Sequence, residues 1–560
     1  MFLKELPASH ISAGDIVKLS CSVLDVDKDP SGVVYKINDR MLSIAFKEPI
    51  PSGWTEKFKV FKLFNETAFK RVFGAMKAFQ TNPPSLLSFY LDKQTQSQKF
   101  KLEDSIKRIF YNESLNGVQK EVVEYALNEN EIALIHGPPG TGKTTTIIEI
   151  VRQLCKPLYG PFKRSSKPLK ILICGPSNLS VDNILEKLIS FNLKMVRIGH
   201  PVKVIDTCLK YCLDNCIKTS DSGRLAQDVQ REINTLVEEL QKKISSSDRK
   251  SKYSELKLLR NELKLRNREL ADTVINECQI VLSTLNSCAS KYLHSKTFDV
   301  VIIDEVTQAL EAECWLAVSK ATKVIMAGDP KQLPPTVLSK KAKELEITLF
   351  DRLKPIYPSR LLTIQYRMNS QIMDWSSQEM YEGKLIAHET VKSRLLCDLE
   401  PVRQTDETII PLLFIDTQGS GTIESASDDE DSKFNEGESE LVVKYFKSLI
   451  EAGVSSKDIA IITPYNAQVS LLRSKLKTDF EDLEIGSVDG FQGREKECVI
   501  ISFVRSNDEK QIGFLKESRR TNVAITRAKR HCCLIGDSDT LESDPFFKRL
   551  VNFLYSRSII

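Results

Sequence analysis

The chain carries the loop Gly137-Pro138-Pro139-Gly140-Thr141-Gly142-Lys143-Thr144, which satisfies the pattern Gly-x-x-x-x-Gly-Lys-Thr. In such a loop, glycines let the backbone turn its N–H groups toward an anion, and the following helix adds the positive end of its dipole. We expect Lys143 to reach the β- and γ-phosphates of a nucleotide and the Thr144 hydroxyl to hold Mg²⁺. A strand-like run from Ile132 to Ile135 precedes the loop and helical periodicity follows it, a context that a surface turn would not need.

The composition is typical of a globular protein with several domains. The 560 residues are 41% hydrophobic and 28% charged, enough for about two to four domains with buried cores. A net charge of +4 makes the chain slightly basic, which is compatible with nucleic acid as a partner but does not establish it. No apolar run approaches the roughly 20 residues that span a bilayer, and no cleavable signal opens the chain, so we expect no membrane partner. The 13 cysteines lack paired C-x-x-C spacing, which predicts reduced thiols in the cytosol or nucleus.

The N-terminal part of the chain, residues 1–111, is predicted to be a β-barrel on stalk helices. Short apolar runs follow turn signals at Ile16-Val17-Lys18-Leu19, at Val33-Val34-Tyr35 and from Leu42 to Phe46. From Glu66 to Phe79 the apolar residues recur with helical spacing. Such a barrel serves either as a nucleic-acid accessory or as a spacer, and the pattern alone leaves both readings open.

Residues 112–345 alternate between strand and helix patterns, which predicts a first α/β domain with a parallel sheet. Gln119, in a helix just before the phosphate loop, can pair through its carboxamide with an adenine edge. Between about 223 and 276 two apolar stripes of helical spacing flank a serine-rich turn, which predicts an inserted helical hairpin. Its basic outer face is either a solvated surface or a guide for a polyanion.

The second half of the nucleotide site is predicted after this insertion. The buried-type run Val300-Val301-Ile302-Ile303 ends in Asp304 and Glu305, so a strand delivers two acids to the edge of the sheet where ligands bind. We expect Asp304 to hold Mg²⁺ through water and Glu305 to orient and deprotonate the attacking water. After the next strand, Gln332 can sense the γ-phosphate.

Residues 346–560 repeat the α/β architecture without a second phosphate loop. The strand Ile459 to Ile462 leads into Thr463-Pro464-Tyr465-Asn466, which echoes the turn that follows Ile171 in the first domain. Two cationic candidates, Arg367 and Arg527, come from this half. An arginine on the transferred phosphoryl group accelerates the reaction about 10³–10⁵-fold, whereas a surface salt bridge contributes at most about 1 kcal/mol. The polar, acidic segment 419–440 is predicted to be a mobile loop.

Several motifs in this order resemble those of a known family. In the first domain they are the phosphate loop, Gly175-Pro176-Ser177-Asn178, Arg197-Ile198-Gly199-His200-Pro201, Asp304-Glu305, and Gly328 through Pro335. In the second they are Gln365-Tyr366-Arg367-Met368, Val488-Asp489-Gly490-Phe491-Gln492-Gly493-Arg494-Glu495, and Arg519 through Arg530. The chain resembles superfamily-one helicases of the group typified by the nonsense-mediated-decay helicase, and is most similar to the immunoglobulin-mu-binding-protein-two branch, which includes the DNA polymerase alpha-associated helicases.

The resemblance implies two tandem RecA-like P-loop domains, with the barrel and the helical hairpin mounted on the first. It implies a monomer that uses ATP and Mg²⁺ to translocate along single-stranded RNA or DNA and to unwind duplexes from 5′ to 3′. Ribosomes or replication and RNA-processing complexes are the partners it suggests, and the cytoplasm, with the nucleus in addition, is the location.

The same resemblance assigns site residues. Adenine would be contacted by Gln119 and Tyr366. The phosphates and ribose would be surrounded by Gly140 to Thr145, Gln332, Arg367, Glu495 and Arg527. The path of the nucleic-acid strand would be lined by Ser177, Asn178, Thr284, Pro464, Tyr465 and Val488. Helix N-termini after the two Pro-x-Asn turns can hold backbone phosphates without reading bases, which agrees with this path.

Departures from the family pattern are few. The usual Asp-Glu-Ala/Cys-x-Gln is Asp304-Glu305-Val306-Thr307-Gln308 here, with both acids kept. The chain is expected to lack the C-terminal nucleic-acid-binding module and zinc finger of some relatives, which affects partner recruitment and unwinding strength. Two alternatives to a helicase therefore stay open: an ATP-driven remodeller that hardly unwinds duplex, and an ATP-regulated nucleic-acid clamp. The presence of Glu305 and Arg527 argues against a clamp without turnover.

Overall fold

A computed structural model describes most of the chain from residue 109 onward and parts of the N-terminal region. The described residues are 11, 15–20, 30–38, 41–46, 59–63, 66–81, 83, 109–129, 131–156, 168–220, 223–241, 245–337, 339–426 and 432–557. Residues 427–431 lie outside the described residues, as do large parts of the predicted barrel and stalk. The prediction of a loop over 419–440 is wrong for the described residues on either side of 427–431. Ser425–Ala426 and Lys433–Phe434 pair as antiparallel strands, and a helix begins at Glu436.

The N-terminal region contains a small antiparallel sheet followed by one long helix. Its four strands are β1 (Ile16–Ser20), β2 (Ser31–Asn38), β3 (Met41–Phe46) and β4 (Lys59–Lys62), in the order β3-β2-β1-β4. The helix α1 (Glu66–Thr81) packs Val72, Ala75, Met76 and Phe79 against the core of the next domain. The closed barrel stays a prediction, because the described residues provide the sheet without its connections.

The first large domain is built on a parallel sheet of seven strands. They are β5 (Ile132–His136), β6 (Ile171–Gly175), β7 (Met195–Ile198), β8 (Ile280–Thr284), β9 (Val300–Ile303), β10 (Lys323–Gly328) and β11 (Ser359–Leu361). Their order is β11-β5-β10-β9-β6-β8-β7, and every pair is parallel. Such a sheet is buried on both faces, so its strands are continuous apolar runs. Along β5, Ile132 and Leu134 belong to one core and Ala133 and Ile135 to the other.

Helices cover both faces of this sheet. They are α2 (Gly117–Asn128), α3 (Lys143–Cys155), α4 (Asn178–Leu188), α5 (Leu213–Thr219), α6 (Gly223–Gln241), α7 (Ser246–Glu277), α8 (Glu311–Val318) and α9 (Leu349–Leu353). Two of them, α6 and α7, occupy the position of the predicted hairpin. They pack against each other through a separate cluster of Val229, Ile233, Leu236, Leu240 and Leu256. The C-terminal turns of α7 enter the main core at Ala271 and Ile275, which anchors the pair to the sheet.

The second large domain repeats the parallel architecture. Its strands are β12 (Ile364–Gln365), β13 (Ile386–Ala387), β14 (Leu412–Asp416), β15 (Ser425–Ala426), β16 (Lys433–Phe434), β17 (Ile459–Thr463), β18 (Glu484–Ser487), β19 (Lys496–Ser502) and β20 (Ala528–Gly536). The main sheet has the order β14-β20-β19-β17-β18 and is parallel throughout. Its helices are α10 (Ser370–Met380), α11 (Asp406–Ile409), α12 (Glu436–Glu451), α13 (Asn466–Leu476), α14 (Ser518–Ile525), α15 (Ser538–Leu541) and α16 (Pro545–Tyr555). Buried side chains cover both faces of this sheet as well.

The segment that follows the predicted boundary at 345/346 packs on the first domain. There α9 contributes Leu349, Phe350 and Leu353 to the first core. The chain then adds β11 to the edge of the first sheet, where Ser359 pairs with Leu134. Leu362 also belongs to the first core, and the boundary itself stays a prediction. No helix in the described part of the chain is long and apolar enough to cross a membrane.

Candidate active site

The phosphate loop connects the end of β5 to the start of α3 at the carboxyl edge of the first sheet. Gly140 and Gly142 have φ values of +73° and +76°, a backbone region that favours glycine. The backbone N–H of Gly137 donates to the Gly328 carbonyl at 3.0 Å, which ties the loop to the end of β10. A Cβ atom at Gly140 would lie 2.6 Å from Cβ of Arg367, so only glycine allows the second domain to approach this closely.

Lys143 lies between the two acids that follow β9. Its Nζ is 3.2 Å from Asp304 Oδ1 and 2.5 Å from Glu305 Oε1. Burial would lower the pKa of Lys143, but the two carboxylates outweigh it and raise that pKa above its usual range. The Asp304 carboxylate and the Thr144 hydroxyl offer oxygen atoms, the donors that Mg²⁺ prefers, so the chemistry of these residues fits the predicted metal.

Glu305 is held in an unusual backbone conformation. Its φ of +53° is in the left-handed region, which costs a non-glycine residue about 1–3 kcal/mol and is found most often at functional sites. Gln308 Nε2 donates to Glu305 Oε2 at 2.7 Å and fixes the orientation of the carboxylate. Burial, followed by the charges of Asp304 and Asp329, raises the pKa of Glu305 against the opposing effect of Lys143. A carboxylate with a raised pKa is a better proton acceptor.

The second domain supplies two arginines on the opposite side of the same site. Arg367 donates from Nε to Glu495 Oε2 at 2.6 Å and from a terminal nitrogen to the Thr526 carbonyl at 3.0 Å. Arg527 is only 2% exposed, and its Nε donates to the Val523 carbonyl at 2.9 Å. Burial, with the nearby Arg367 charge, lowers the pKa of Arg527 to about 9, while Glu305 and Glu495 oppose the shift. Arg527 therefore stays charged at pH 7, within electrostatic reach of Glu305.

The predicted adenine contacts are close to the loop. Gln119 Nε2 donates to the Thr141 carbonyl at 3.1 Å, and its Oε1 accepts from the Asn116 backbone N–H at 3.1 Å. Asn116 also donates from its side chain to the Tyr366 hydroxyl at 2.9 Å, across the domain boundary. The Tyr366 ring lies 4.6 Å from the ring of His388. Sequence reasoning missed Asn116, although Asn with Gln three residues later is the pattern of a capping box.

Gln332 is bound to a buried acid that sequence reasoning did not select. Its Nε2 donates to Asp329 Oδ2 at 2.8 Å, and the same carboxylate binds His136 and Tyr381. Burial would raise the pKa of Asp329, but these three hydrogen bonds lower it below its usual value. Asp329 is thus a fixed charge behind the phosphate loop.

The predicted strand contacts of the first domain lie at the ends of neighbouring strands. Ser177 caps α4, and its hydroxyl accepts from the Ser180 backbone N–H at 3.1 Å. Asn178 Oδ1 accepts from Arg197 at 2.9 Å, and Thr284 donates to the Ser287 hydroxyl at 2.9 Å. All three side chains therefore stand along one edge of the sheet, beside β6 and β8.

The predicted contacts of the second domain are more deeply buried. Tyr465 and Val488 are 2% and 4% exposed, and the Tyr465 hydroxyl accepts from Arg505 at 3.2 Å. Pro464 is half-buried in the turn before α13. A nucleic-acid strand would meet backbone groups at Tyr465 and Val488 rather than their side chains, as at other helix N-termini.

A buried ion pair supports the edge of the first domain where the strand contacts are predicted. Arg197 Nε lies 2.8 Å from Asp182 Oδ1, with side chains 0% and 1% exposed. We expect Arg197→Ala to lower the free energy of unfolding by about 3–5 kcal/mol, because Asp182 is left as a buried charge without its partner. Urea unfolding measures this change. Arg231→Ala, which removes an exposed pair with Asp228, should cost less than about 1 kcal/mol, and equal losses in both variants would contradict the assignment.

These features define a class: a two-domain P-loop protein in which two parallel α/β domains meet at one candidate nucleotide site. The chain matches two family models, each described as an AAA domain, over residues 114–340 and 345–539. It is 39% identical to the DNA polymerase alpha-associated DNA helicase A of Schizosaccharomyces pombe, over 100% of this chain and 86% of that protein.

Two further relatives extend the comparison. The DNA-binding protein SMUBP-2 of Rattus norvegicus is 40% identical over 98% of this chain and 56% of its own length. The regulator of nonsense transcripts 1 homolog of Drosophila melanogaster is 31% identical over 94% of this chain and 44% of its own length. The chain thus spans about half the length of these two relatives. It belongs to the superfamily-one helicases of the group typified by the nonsense-mediated-decay helicase, which confirms the resemblance seen in the motifs.

Proposed function

We propose that this chain hydrolyses ATP to move along single-stranded RNA or DNA and to unwind duplexes from 5′ to 3′. The observation that carries the proposal is the division of one nucleotide site between two domains. Lys143, Asp304 and Glu305 belong to the first domain, and Arg367 and Arg527 to the second. The helicase named among the relatives supports the activity, whereas the polarity is inferred from family resemblance alone.

The site residues divide the chemistry of ATP hydrolysis between them. Lys143 and the backbone N–H groups of the loop hold the β- and γ-phosphates. Glu305 accepts a proton from the attacking water as the water oxygen bonds to the γ-phosphorus and the bridging oxygen leaves with ADP. The arginines stabilise charge on the phosphoryl oxygens. Mg²⁺, held by Thr144 and by Asp304 through water, would neutralise part of the charge on the phosphates.

Movement follows from the way in which the two domains share the substrate. ATP attracts the arginines of the second domain to the first, and hydrolysis weakens that attraction. The strand path runs over the same two domains through Ser177, Asn178 and Thr284 on one side and the Pro464 turn on the other. Closure therefore shortens the distance between the strand contacts of the first domain and those of the second. Contacts to backbone phosphates make binding independent of sequence and sensitive to salt.

The α6–α7 pair is anchored in the core of the first domain, and α1, which follows the N-terminal sheet, packs on the same core. From these positions the pair and the sheet can guide the strand. We infer a monomer from the family. A location in the cytoplasm, and in part in the nucleus, agrees with the free cysteines of the described residues. Replication, RNA-processing or ribosomal complexes are the partners we infer from the family. A remodeller with little unwinding would use the same motor, and the presence of both Glu305 and Arg527, whose charges interact, disfavours an inactive clamp.

Single-stranded RNA or DNA should increase the rate of ATP hydrolysis, because the closed cleft binds both ligands at once. We expect the increase with wild-type protein and its loss in Lys143→Ala, measured as phosphate release against oligonucleotide concentration. An unwinding assay on tailed RNA and DNA duplexes with 5′ or 3′ overhangs then tests the direction of unwinding and whether RNA or DNA is the substrate. A rate that does not respond to either oligonucleotide would contradict the proposal, and stimulated ATPase without unwinding would favour the remodeller.

A further inference from the structure

A buried polar cluster crosses from one domain to the other behind the phosphate loop. The first domain contributes His136, Asp329 and Gln332, and the second contributes Tyr381 and Asn522. Asp329, Tyr381 and Asn522 are 0%, 3% and 1% exposed. Groups at this depth need hydrogen-bond partners, and here each domain supplies partners for the other.

The hydrogen bonds of the cluster converge on one carboxylate. Asp329 Oδ1 lies 3.0 Å from His136 Nε2, at the end of the strand that leads into the phosphate loop. Asp329 Oδ2 accepts two hydrogen bonds of 2.8 Å, one from Gln332 Nε2 and one from the Tyr381 hydroxyl. The hydroxyl in turn accepts from Asn522 Nδ2 at 3.2 Å. One oxygen of Asp329 is thus shared by the γ-phosphate-sensing residue of the first domain and a tyrosine of the second.

We propose that Tyr381 is a positioning residue that couples the γ-phosphate to closure of the two domains. When Gln332 turns its amide toward a γ-phosphate, it releases Asp329 Oδ2. The Tyr381 hydroxyl continues to donate to that oxygen, so the buried carboxylate oxygen still has a hydrogen-bond donor after Gln332 has left. When the γ-phosphate leaves, Gln332 returns and shares the oxygen again. The inference rests on the proposed function, because it assigns a role within the same ATPase cycle.

The position of Tyr381 in the second domain connects this exchange to both arginines. Tyr381 is the C-cap of α10, and Arg367 lies three residues before that helix. Asn522 lies in α14, which ends two residues before Arg527, and its amide also donates to the Lys331 carbonyl of the first domain at 2.8 Å. The Tyr381–Asn522 pair therefore holds the elements that carry both arginines against the loop that carries Gln332.

The test is Tyr381→Phe, which removes one hydroxyl and keeps the buried ring. We expect kcat for ATP at saturating single-stranded oligonucleotide to fall about tenfold, the loss of one charged hydrogen bond in the closed state. KM for ATP should stay within about twofold, because the phosphate loop and Lys143 keep their contacts. Tyr555→Phe is the matched control, because the Tyr555 hydroxyl likewise donates to an aspartate. Both Tyr555 and its partner Asp416 lie in the second domain, away from this site. The kcat of Tyr555→Phe should equal that of wild type.

A double-mutant cycle separates coupling from a structural role. If Tyr381 acts through Asp329 and Gln332, adding Tyr381→Phe to Gln332→Ala should lower kcat by much less than tenfold. Independent effects in this cycle, or a Tyr381→Phe protein that melts earlier but turns over at the wild-type rate, would overturn the inference. Absence of nucleic-acid-stimulated hydrolysis in the wild-type protein would instead refute the proposed function, and the inference with it.

Discussion

Glu305→Gln should lower ATP turnover by roughly 10²–10⁴-fold, the usual contribution of a positioned general base. Glutamine keeps the shape of the side chain, but its amide cannot take a proton from the attacking water. The Lys143 cradle and both arginines remain, so the variant should still bind ATP and single-stranded nucleic acid. Phosphate release measures the turnover, and fluorescence anisotropy of a labelled oligonucleotide measures the retained binding.

The control for this variant is Glu311→Gln, which changes an acid on α8 that pairs with Arg352 near the surface. Its turnover should match wild type. Burial is the largest cause of the raised pKa of Glu305. As the pH is lowered, Glu305 therefore takes up a proton at a higher pH than an ordinary glutamate does. We expect the wild-type rate of hydrolysis to begin to fall at that higher pH, because the protonated side chain cannot act as the base. Turnover near the wild-type value in Glu305→Gln would reject Glu305 as the base.

The parts of the site that the sequence predicts are those carried by short motifs at strand ends. The loop at Lys143 and the acids at Asp304 and Glu305 follow buried strands directly, so their meeting at one sheet edge follows from parallel topology. Arg367 and Arg527 were also predicted, and the structure brings both to that edge from the second domain.

Other features depend on contacts between distant segments, which no local pattern reveals. Tyr381 meets Asp329 across 52 positions of sequence, and no motif or periodicity singles it out. The burial of Tyr465 depends on Arg505 and Phe514, which are 40 and 49 positions away. The strand β11 also escapes local prediction, because it is a short edge strand whose Arg360 is exposed, so it lacks the apolar run of a central strand.

Arg527→Ala should lower ATP turnover by about 10³–10⁵-fold, the value of an arginine that neutralises the transferred phosphoryl group. This loss corresponds to about 4–7 kcal/mol of transition-state stabilisation at 1.36 kcal/mol per factor of ten. The side chain is buried and aligned by the Val523 carbonyl. The neighbouring Arg367 is held by Glu495 and the Thr526 carbonyl, so it would have to leave these partners to take the place of Arg527. Single-turnover hydrolysis with bound oligonucleotide measures the effect on chemistry apart from product release.

Two further variants decide whether the effect is catalytic. Arg549→Ala removes an exposed arginine of the same domain that pairs with Glu379, and its turnover should not change. Arg527→Lys keeps a positive charge but loses the planar donors that align with the Val523 and Arg494 carbonyls, so it should recover only part of the lost rate. If Arg527 had no more part in catalysis than the exposed Arg549, then Arg527→Ala, Arg527→Lys and Arg549→Ala would all turn over at the wild-type rate. That outcome would remove Arg527 from the catalytic machinery and leave Arg367 to draw the second domain toward ATP.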